Sequence, residues 1–222
     1  PSSARASTMR PGASCRIPCP CRELTVSTSL PVSLPIWLPG STVTVTLWGT
    51  FQLVSSKLSG EGLTDFGKAV VGRANELGVI IDITHSSPAM VEDVLDLTTA
   101  PVMLSHGGVK GACDTPRNLP DTLMQRIVDT GGIVGIGYWD AAICDVSPEG
   151  IVKSIRYAVD LLGVDHVALG SDYDGATTVP FDSSELAVLT EPRLRTGFSE
   201  DEIRKVMGDN AKRFLLENLP ET

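Results

Sequence analysis

Basic residues are scarce in this chain, where 18 Lys and Arg face 27 Asp and Glu for a formal net charge of −9. A surface of that sign repels phosphate backbones, so nucleic acid is excluded as an expected partner. No apolar stretch reaches the roughly 18–20 residues of a membrane-spanning helix, and the start lacks the basic-then-apolar order of a secretory signal. The chain therefore reads as soluble, with no membrane segment. No G-x-G-x-x-G stands between a strand pattern and a helix pattern, which removes the phosphate loop of a dinucleotide site. Cysteines number five, an odd count, and Cys113 and Cys144 stand alone in the regular part. No disulfide framework is expected, and a reducing compartment, hence a cytoplasmic location, fits best. Cys15, Cys19 and Cys21 cluster among prolines but offer no fourth ligand at zinc-site spacing.

What the sequence does hold is organised in two parts. Residues 1–41 are rich in Pro, Ser and Thr, show no sustained period and should form little regular structure. Residues 42–222 open on Thr42–Leu47, an alternation of β-branched and polar residues that reads as a strand. From about residue 62 helix and strand patterns alternate. Thr64 can cap a helix with the apolar stripe Phe66, Val70, Ala74 and Leu77, stopped at Gly78. Ser87-Pro88 and Ser147-Pro148 each place proline at a first helical position, and Asp121 can cap a helix that runs to Gly131. The helix opened at Ser147 carries Ile151, Ile155, Ala158 and Leu162 on one face, and Ser199 with Glu202 forms a capping box for the last helix. Four βα repeats of this kind make a parallel α/β sheet. A complete eightfold barrel needs about 250 residues, so the expected fold is a partial TIM-like (β/α) barrel covering about the last four βα units.

Only three histidines occur, and two share one setting. Val79–Ile83 leads into Thr84-His85-Ser86-Ser87, and Pro101–Leu104 leads into Ser105-His106-Gly107-Gly108. Each run reads as a buried strand that delivers an imidazole where strand gives way to loop, the end at which α/β barrels build their sites. The 21-residue separation leaves room for a helix and a return to a parallel neighbour about 4.8 Å away. His85 and His106 are therefore candidate ligands of one metal ion, the alternative being imidazoles satisfied by hydrogen bonds. His166 opens a strand and faces the opposite end, which marks it as structural.

Asp172 ends the fourth apolar run, within Gly170-Ser171-Asp172-Tyr173-Asp174-Gly175. At the same rim as the histidines its carboxylate could move a proton in hydrolysis, whereas locally Asp172 and Asp174 could be turn formers before Gly175. Arg117 lies in the loop that follows the second histidine, and a guanidinium fork there could hold a substrate carboxylate bidentately. Its alternative is a surface ion pair with Asp114 or Asp121.

Together with Gly62-Leu63-Thr64-Asp65-Phe66-Gly67 and Arg117-Asn118-Leu119-Pro120-Asp121, these stretches resemble the membrane (renal-type) dipeptidases, zinc hydrolases of the amidohydrolase superfamily, the bacterial members most of all. The agreement in order and spacing covers about residues 62–219. The resemblance implies a TIM-like barrel with two zinc ions, cleaving dipeptides by attack of a metal-activated hydroxide on the single peptide carbonyl. His85 and His106 would bind the second zinc, Arg117 would hold the substrate's terminal carboxylate, and Asp172, the catalytic residue, would shuttle the proton. The family's early His-x-Asp pair has no counterpart before residue 62. Only Glu23 and Glu61 precede Gly62, neither placed like the bridging glutamate, and Leu47-Trp48-Gly49 stands where a substrate-contacting histidine belongs. The first metal site and the bridge are thus expected to be missing.

The expected function is zinc-dependent hydrolysis of dipeptides. The alternatives are a truncated, inactive fragment that retains at most one metal site, and a non-catalytic module that binds small carboxylates through Arg117. A half barrel also leaves two bare strand edges, which invites self-pairing into a homo-oligomer and predicts poor monomer stability.

Overall fold

Proline and glycine set the boundaries of the elements, and the pattern of apolar residues between them decides how each element packs. The computed structural model describes the backbone at 41–45 and 50–55 and all of 62–219 except residues 174 and 176. The segment 1–40 with its cysteine cluster, Leu47-Trp48-Gly49, Glu61 and Asp174 lie outside the described residues.

Among the described residues six strands form one sheet in sequential order. Strand β1 (Ser41–Val45) pairs antiparallel with β2 (Thr50–Ser55), and β2 pairs parallel with β3 (Ile80–Asp82) from Thr50 opposite Ile80. Then β4 (Val102–Gly107), β5 (Ile133–Ile136) and β6 (Val167–Leu169) follow, all parallel. The four βα units after residue 79 are the expected ones. The second early strand, β2, was not among the expected elements. Its Thr-Phe-Gln-Leu-Val run carries the β-branched and aromatic signal, but it sits a few residues from a run already read as the strand. Among the described residues β1 and β6 each pair on one side only, so the sheet is open.

The helices start and stop where local chemistry requires. Helix α1 (Asp65–Leu77) is capped by Thr64, whose Oγ1 accepts from Gly67 N, and ends at Gly78 with φ 66°. Ser87 and Ser147 cap α2 (Pro88–Leu97) and α5 (Pro148–Leu162) by accepting from Met90 N and Gly150 N, each with proline in the first turn. Two expectations need correction. Asp121 is the first residue of α3 (Asp121–Asp129) rather than its cap, because its carboxylate accepts instead from Gly111 N and Tyr157 Oη. Phe66 and Leu77 are exposed while Val71 and Ala74 are buried, so the buried stripe of α1 is rotated from the expected one.

Strand alternation divides the core between the two faces of the sheet. Ile81, Val102, Leu104, Val134, Ile136 and Val167 join the helices α1, α2, α3 and α5 in the main cluster. Ile80, Ile133 and Ala168 face the other way and close on Phe214 of α8 (Asn210–Asn218), the last helix after α4 (Asp140–Ile143), α6 (Thr190–Arg195) and α7 (Glu200–Arg204). Asp82 and Ser105 lie two positions beyond Ile80 and Met103, and so fall on that second face, nearer the carboxyl ends of the strands.

Candidate functional site

The carboxyl ends of β3, β4 and β6 meet at one rim, and the candidate residues leave from there. His85 stands three residues beyond β3, His106 is the penultimate residue of β4, and Asp172 stands three residues beyond β6. Both His85 (φ 66°) and Asp172 (φ 55°) are in the left-handed region. For L residues that conformation costs roughly 1–2 kcal/mol, and non-glycine residues held there cluster at functional sites. Each sharply turns the chain just past its strand.

The two imidazoles converge, with His85 Nε2 3.0 Å from His106 Nε2 and the rings edge to face. Asp172 Oδ1 lies 3.6 Å from His106 Nε2. The backbone of Asp172 also makes the anticipated turn, its carbonyl accepting from Gly175 N at 2.9 Å. The backbone of Asp172 thus serves the turn while its carboxylate faces the histidine. His166 Nδ1 donates to Gly132 O, 2.8 Å away, at the amino end of the sheet.

Lys110 takes Asp114, Asp121 is engaged as described, and Arg117 reaches inward, its Nη1 2.8 Å from His85 Nδ1 and its Nη2 donating to His106 O at 2.9 Å. The guanidinium also lies over the Trp139 ring, 5.3 Å from the centroid. Burial pushes the Arg117 pKa below its usual value, and the nearby carboxylates of Asp172 and Asp82 pull it back up.

Three residues of the site were missed by sequence reasoning. Asp82, buried, accepts through Oδ1 from Thr84 N, Thr84 Oγ1 and Ser105 N at 3.0, 2.7 and 3.1 Å. Thr84 Oγ1 is 3.1 Å from Ser105 Oγ, which is 2.9 Å from His106 Nδ1. Their signal was polar side chains interrupting otherwise apolar strand runs, since a buried carboxylate is retained only where donors surround it.

The loop that carries Arg117 is tied to the segment after β5. Thr115 Oγ1 donates to Ala141 O at 2.6 Å, and Asn118 Nδ2 donates to Cys113 O and Ala142 O, both at 2.8 Å. Cys113 and Cys144 form a disulfide with Cα atoms 5.6 Å apart. This corrects the expectation of isolated cysteines, because partners 31 residues apart in sequence are brought together only by the fold. It also removes the ground for expecting a reducing compartment, since structural disulfides persist where conditions are oxidising. Among the described residues no helix is long and apolar enough to cross a membrane. Replacing both cysteines by serine is expected to lower stability by roughly 3–4 kcal/mol through loop-closure entropy. Chemical denaturation of the oxidised chain and the double variant checks this, and equal midpoints would contradict it.

Whether the donors suit a metal can be judged from their arrangement. Two Zn–N bonds of about 2.0–2.1 Å in a tetrahedral site separate the nitrogens by roughly 3.3–3.4 Å. The 3.0 Å between the Nε2 atoms needs to widen by only a few tenths of an ångström, so the imidazole pair fits one ion. Among the described residues no group of three His, Cys, Asp or Glu side chains is assembled for a metal.

Comparison with known proteins adds lineage to this geometry. The family model for membrane dipeptidase (peptidase family M19) matches residues 45–219. An uncharacterized dipeptidase of Schizosaccharomyces pombe is 32% identical over 168 residues, covering 72% of this chain and 41% of that protein. The dipeptidase aclJ of Aspergillus oryzae is 36% identical over 162 residues, covering 69% and 38%. Among solved structures, a metallo peptidase from Rhodobacter sphaeroides liganded with a phosphinate mimic of the dipeptide L-Ala-D-Ala superposes with a TM-score of 0.68 at 28% identity, over 74% of this chain and 49% of that one. An amidohydrolase from Pseudomonas aeruginosa gives 0.64 at 26% identity, over 72% and 58%. The chain thus spans about two fifths of the length of these curated relatives.

Proposed function

The chain belongs to the membrane dipeptidase family, peptidase family M19, and on that premise we propose that it is part of a zinc-dependent dipeptidase. The observation that carries this reading is the meeting of His85, His106, Arg117 and Asp172 at one rim of the sheet. His85 and His106 would hold a metal ion, which when bound polarises a peptide carbonyl and makes water more acidic. Arg117 binds the terminal carboxylate of the dipeptide, its plane set by Trp139 and its loop tied down by Thr115, Asn118 and the disulfide. Holding the substrate by its end limits which peptide bond can reach the histidines, and an anchored geometry of this kind lowers the entropic part of the barrier. Asp172 takes a proton from the attacking water and passes it to the leaving amine. The dipeptide mimic bound by the Rhodobacter sphaeroides metallo peptidase supports a dipeptide as the substrate class.

A second reading, a chain that binds one ion without turnover, is favoured by the lack of any three-ligand group among the described residues. Zinc-dependent hydrolysis of alanyl-alanine by the purified chain separates the two, with His106→Ala as control. Hydrolysis that needs zinc and disappears in the variant is expected. One bound zinc with no hydrolysis above the variant would favour the second reading. Carboxylate binding that is indifferent to zinc would point instead to a non-catalytic carboxylate module.

A further inference from the structure

The loop that carries Arg117 and the segment after β5 meet along one seam, and a covalent bond closes it. Cys113 stands four residues before Arg117, and Cys144 directly follows α4. Their disulfide spans the seam beside two hydrogen bonds, Thr115 Oγ1 to Ala141 O and Asn118 Nδ2 to Ala142 O. Arg117 lies between those two donors in sequence, and its guanidinium rests over Trp139, the residue that precedes α4. What holds the seam shut therefore also holds Arg117 on its seat.

The two cysteines differ in access. Cys113 is only 2% exposed, whereas Cys144 is exposed and lines an open groove of about 490 Å³. The Arg117 loop forms one wall of the groove at Gly111 and Ala112, and α5 forms the other at Gly150, Lys153 and Tyr157. A space of that volume admits a small molecule. The backbone at Cys144 has φ 63° and ψ −42°, with Asp145 N donating to Ile143 O at 2.7 Å. This is a γ-turn of the rare, strained hand. An L residue stays in such a conformation only where its surroundings enforce it, and the disulfide is the covalent part of that enforcement. Once the bond opens, Cys144 can relax to negative φ and draw the end of α4 away from the loop.

We propose that Cys144 is a thiol-exchange site through which a small thiol loosens Arg117 and so weakens its grip on a carboxylate. The inference rests on the reading of Arg117 as the carboxylate anchor given above. A thiolate in the groove attacks Cys144 Sγ, the bond to Cys113 breaks, and Cys113 leaves as a thiolate that takes a proton from solvent. A second thiolate then attacks the small-molecule sulfur of the mixed disulfide, and Cys144 leaves as a thiolate that is protonated in turn. Two thiols are thereby oxidised to one small disulfide, and the protein cystine gains their two electrons. Disulfides that are exposed or strained are the ones open to this exchange.

The test uses the full oxidised chain and 2-mercaptoethanesulfonate. After brief exposure, an acid quench and labelling of free thiols with N-ethylmaleimide, peptide mass spectrometry should place the mercaptan adduct on Cys144 and the maleimide on Cys113. An adduct on Cys113, or a cystine that stays intact, overturns the assignment. Propionate should bind on the order of tenfold more weakly to the reduced than to the oxidised chain, within the roughly 5–150-fold range of coupled sites. Reoxidation should restore the affinity, and Arg117→Met should bind weakly in both states. Amide exchange in the reduced chain should quicken at 113–119 and 139–144 while β4 and β5 keep their protection. Exchange that quickens throughout the sheet would make the disulfide a purely structural brace and overturn the switch. Equal propionate affinity in the two redox states, with Arg117→Met weaker than both, overturns the switch and leaves the anchor role of Arg117 standing. An oxidised chain that binds propionate no better than Arg117→Met overturns that role and the switch together.

Discussion

Asp172→Asn is expected to lower kcat for dipeptide hydrolysis by about 10²–10⁴-fold, the span typical of losing a positioned general acid or base. The substitution separates the turn from the proton transfer proposed for Asp172. Asparagine tolerates the left-handed φ of 55° about as well as aspartate does, and its backbone carbonyl can still accept from Gly175 N. The turn should survive, with a melting temperature within about 2 °C of the parent. An amide side chain cannot take up a proton at neutral pH, so only the proton transfer is removed. Alanine would confuse the outcome, because it pays the full penalty of the left-handed region. Steady-state kinetics beside a thermal melt decides the matter. A kcat within tenfold of the parent, with the fold intact, would reduce Asp172 to a turn former.

Much of this site was readable from the sequence because its main elements are local. An apolar run of four or five residues followed by His and small residues specifies both a buried strand and where its imidazole emerges, and the structure brings His85 and His106 to one point as that pattern suggests. The helix starts at Ser87 and Ser147 were equally local, each resting on a side chain that reaches three residues along its own chain. What escaped reading depends on register between distant segments. Asp82 meets Ser105 N only because β3 and β4 pair with Asp82 opposite Met103, and nothing in either strand alone announces that pairing. Cys113 meets Cys144 because the Arg117 loop lies over the short helix α4 (Asp140–Ile143). Trp139 closes the apolar run that starts at Ile133, and nothing local marks its ring as the seat for Arg117. The turn of α1 away from its expected stripe has a similar source, since sequence period gives the width of an apolar face but not which neighbour covers it.

The same dependence on register predicts that two exposed-or-buried glycine substitutions will move stability in opposite directions. Gly72 lies in the middle of α1 with nothing within 4 Å of an added Cβ. Gly72→Ala should raise stability by roughly 0.5–1 kcal/mol, through helix propensity alone. Gly170 follows β6 at the rim, where an added Cβ would strike Ser105 O and come within 2.9 Å of His106 Cα and 3.0 Å of Gly135 C. All three are backbone atoms, so no side chain can turn aside to make room. Gly170→Ala should therefore cost roughly 2–3 kcal/mol by overpacking, a fall in melting temperature of roughly 5–10 °C for a chain of this size. The damage should also be directional. The strand pushed away is the one carrying Ser105 and His106, so zinc affinity should fall in Gly170→Ala even at temperatures where the variant is fully folded, while Gly72→Ala should bind zinc as the parent does. Calorimetric melts with zinc titrations of both variants test this, and a Gly170→Ala chain that matched the parent in both measurements would mean that β6 does not approach β4 as closely as the site requires.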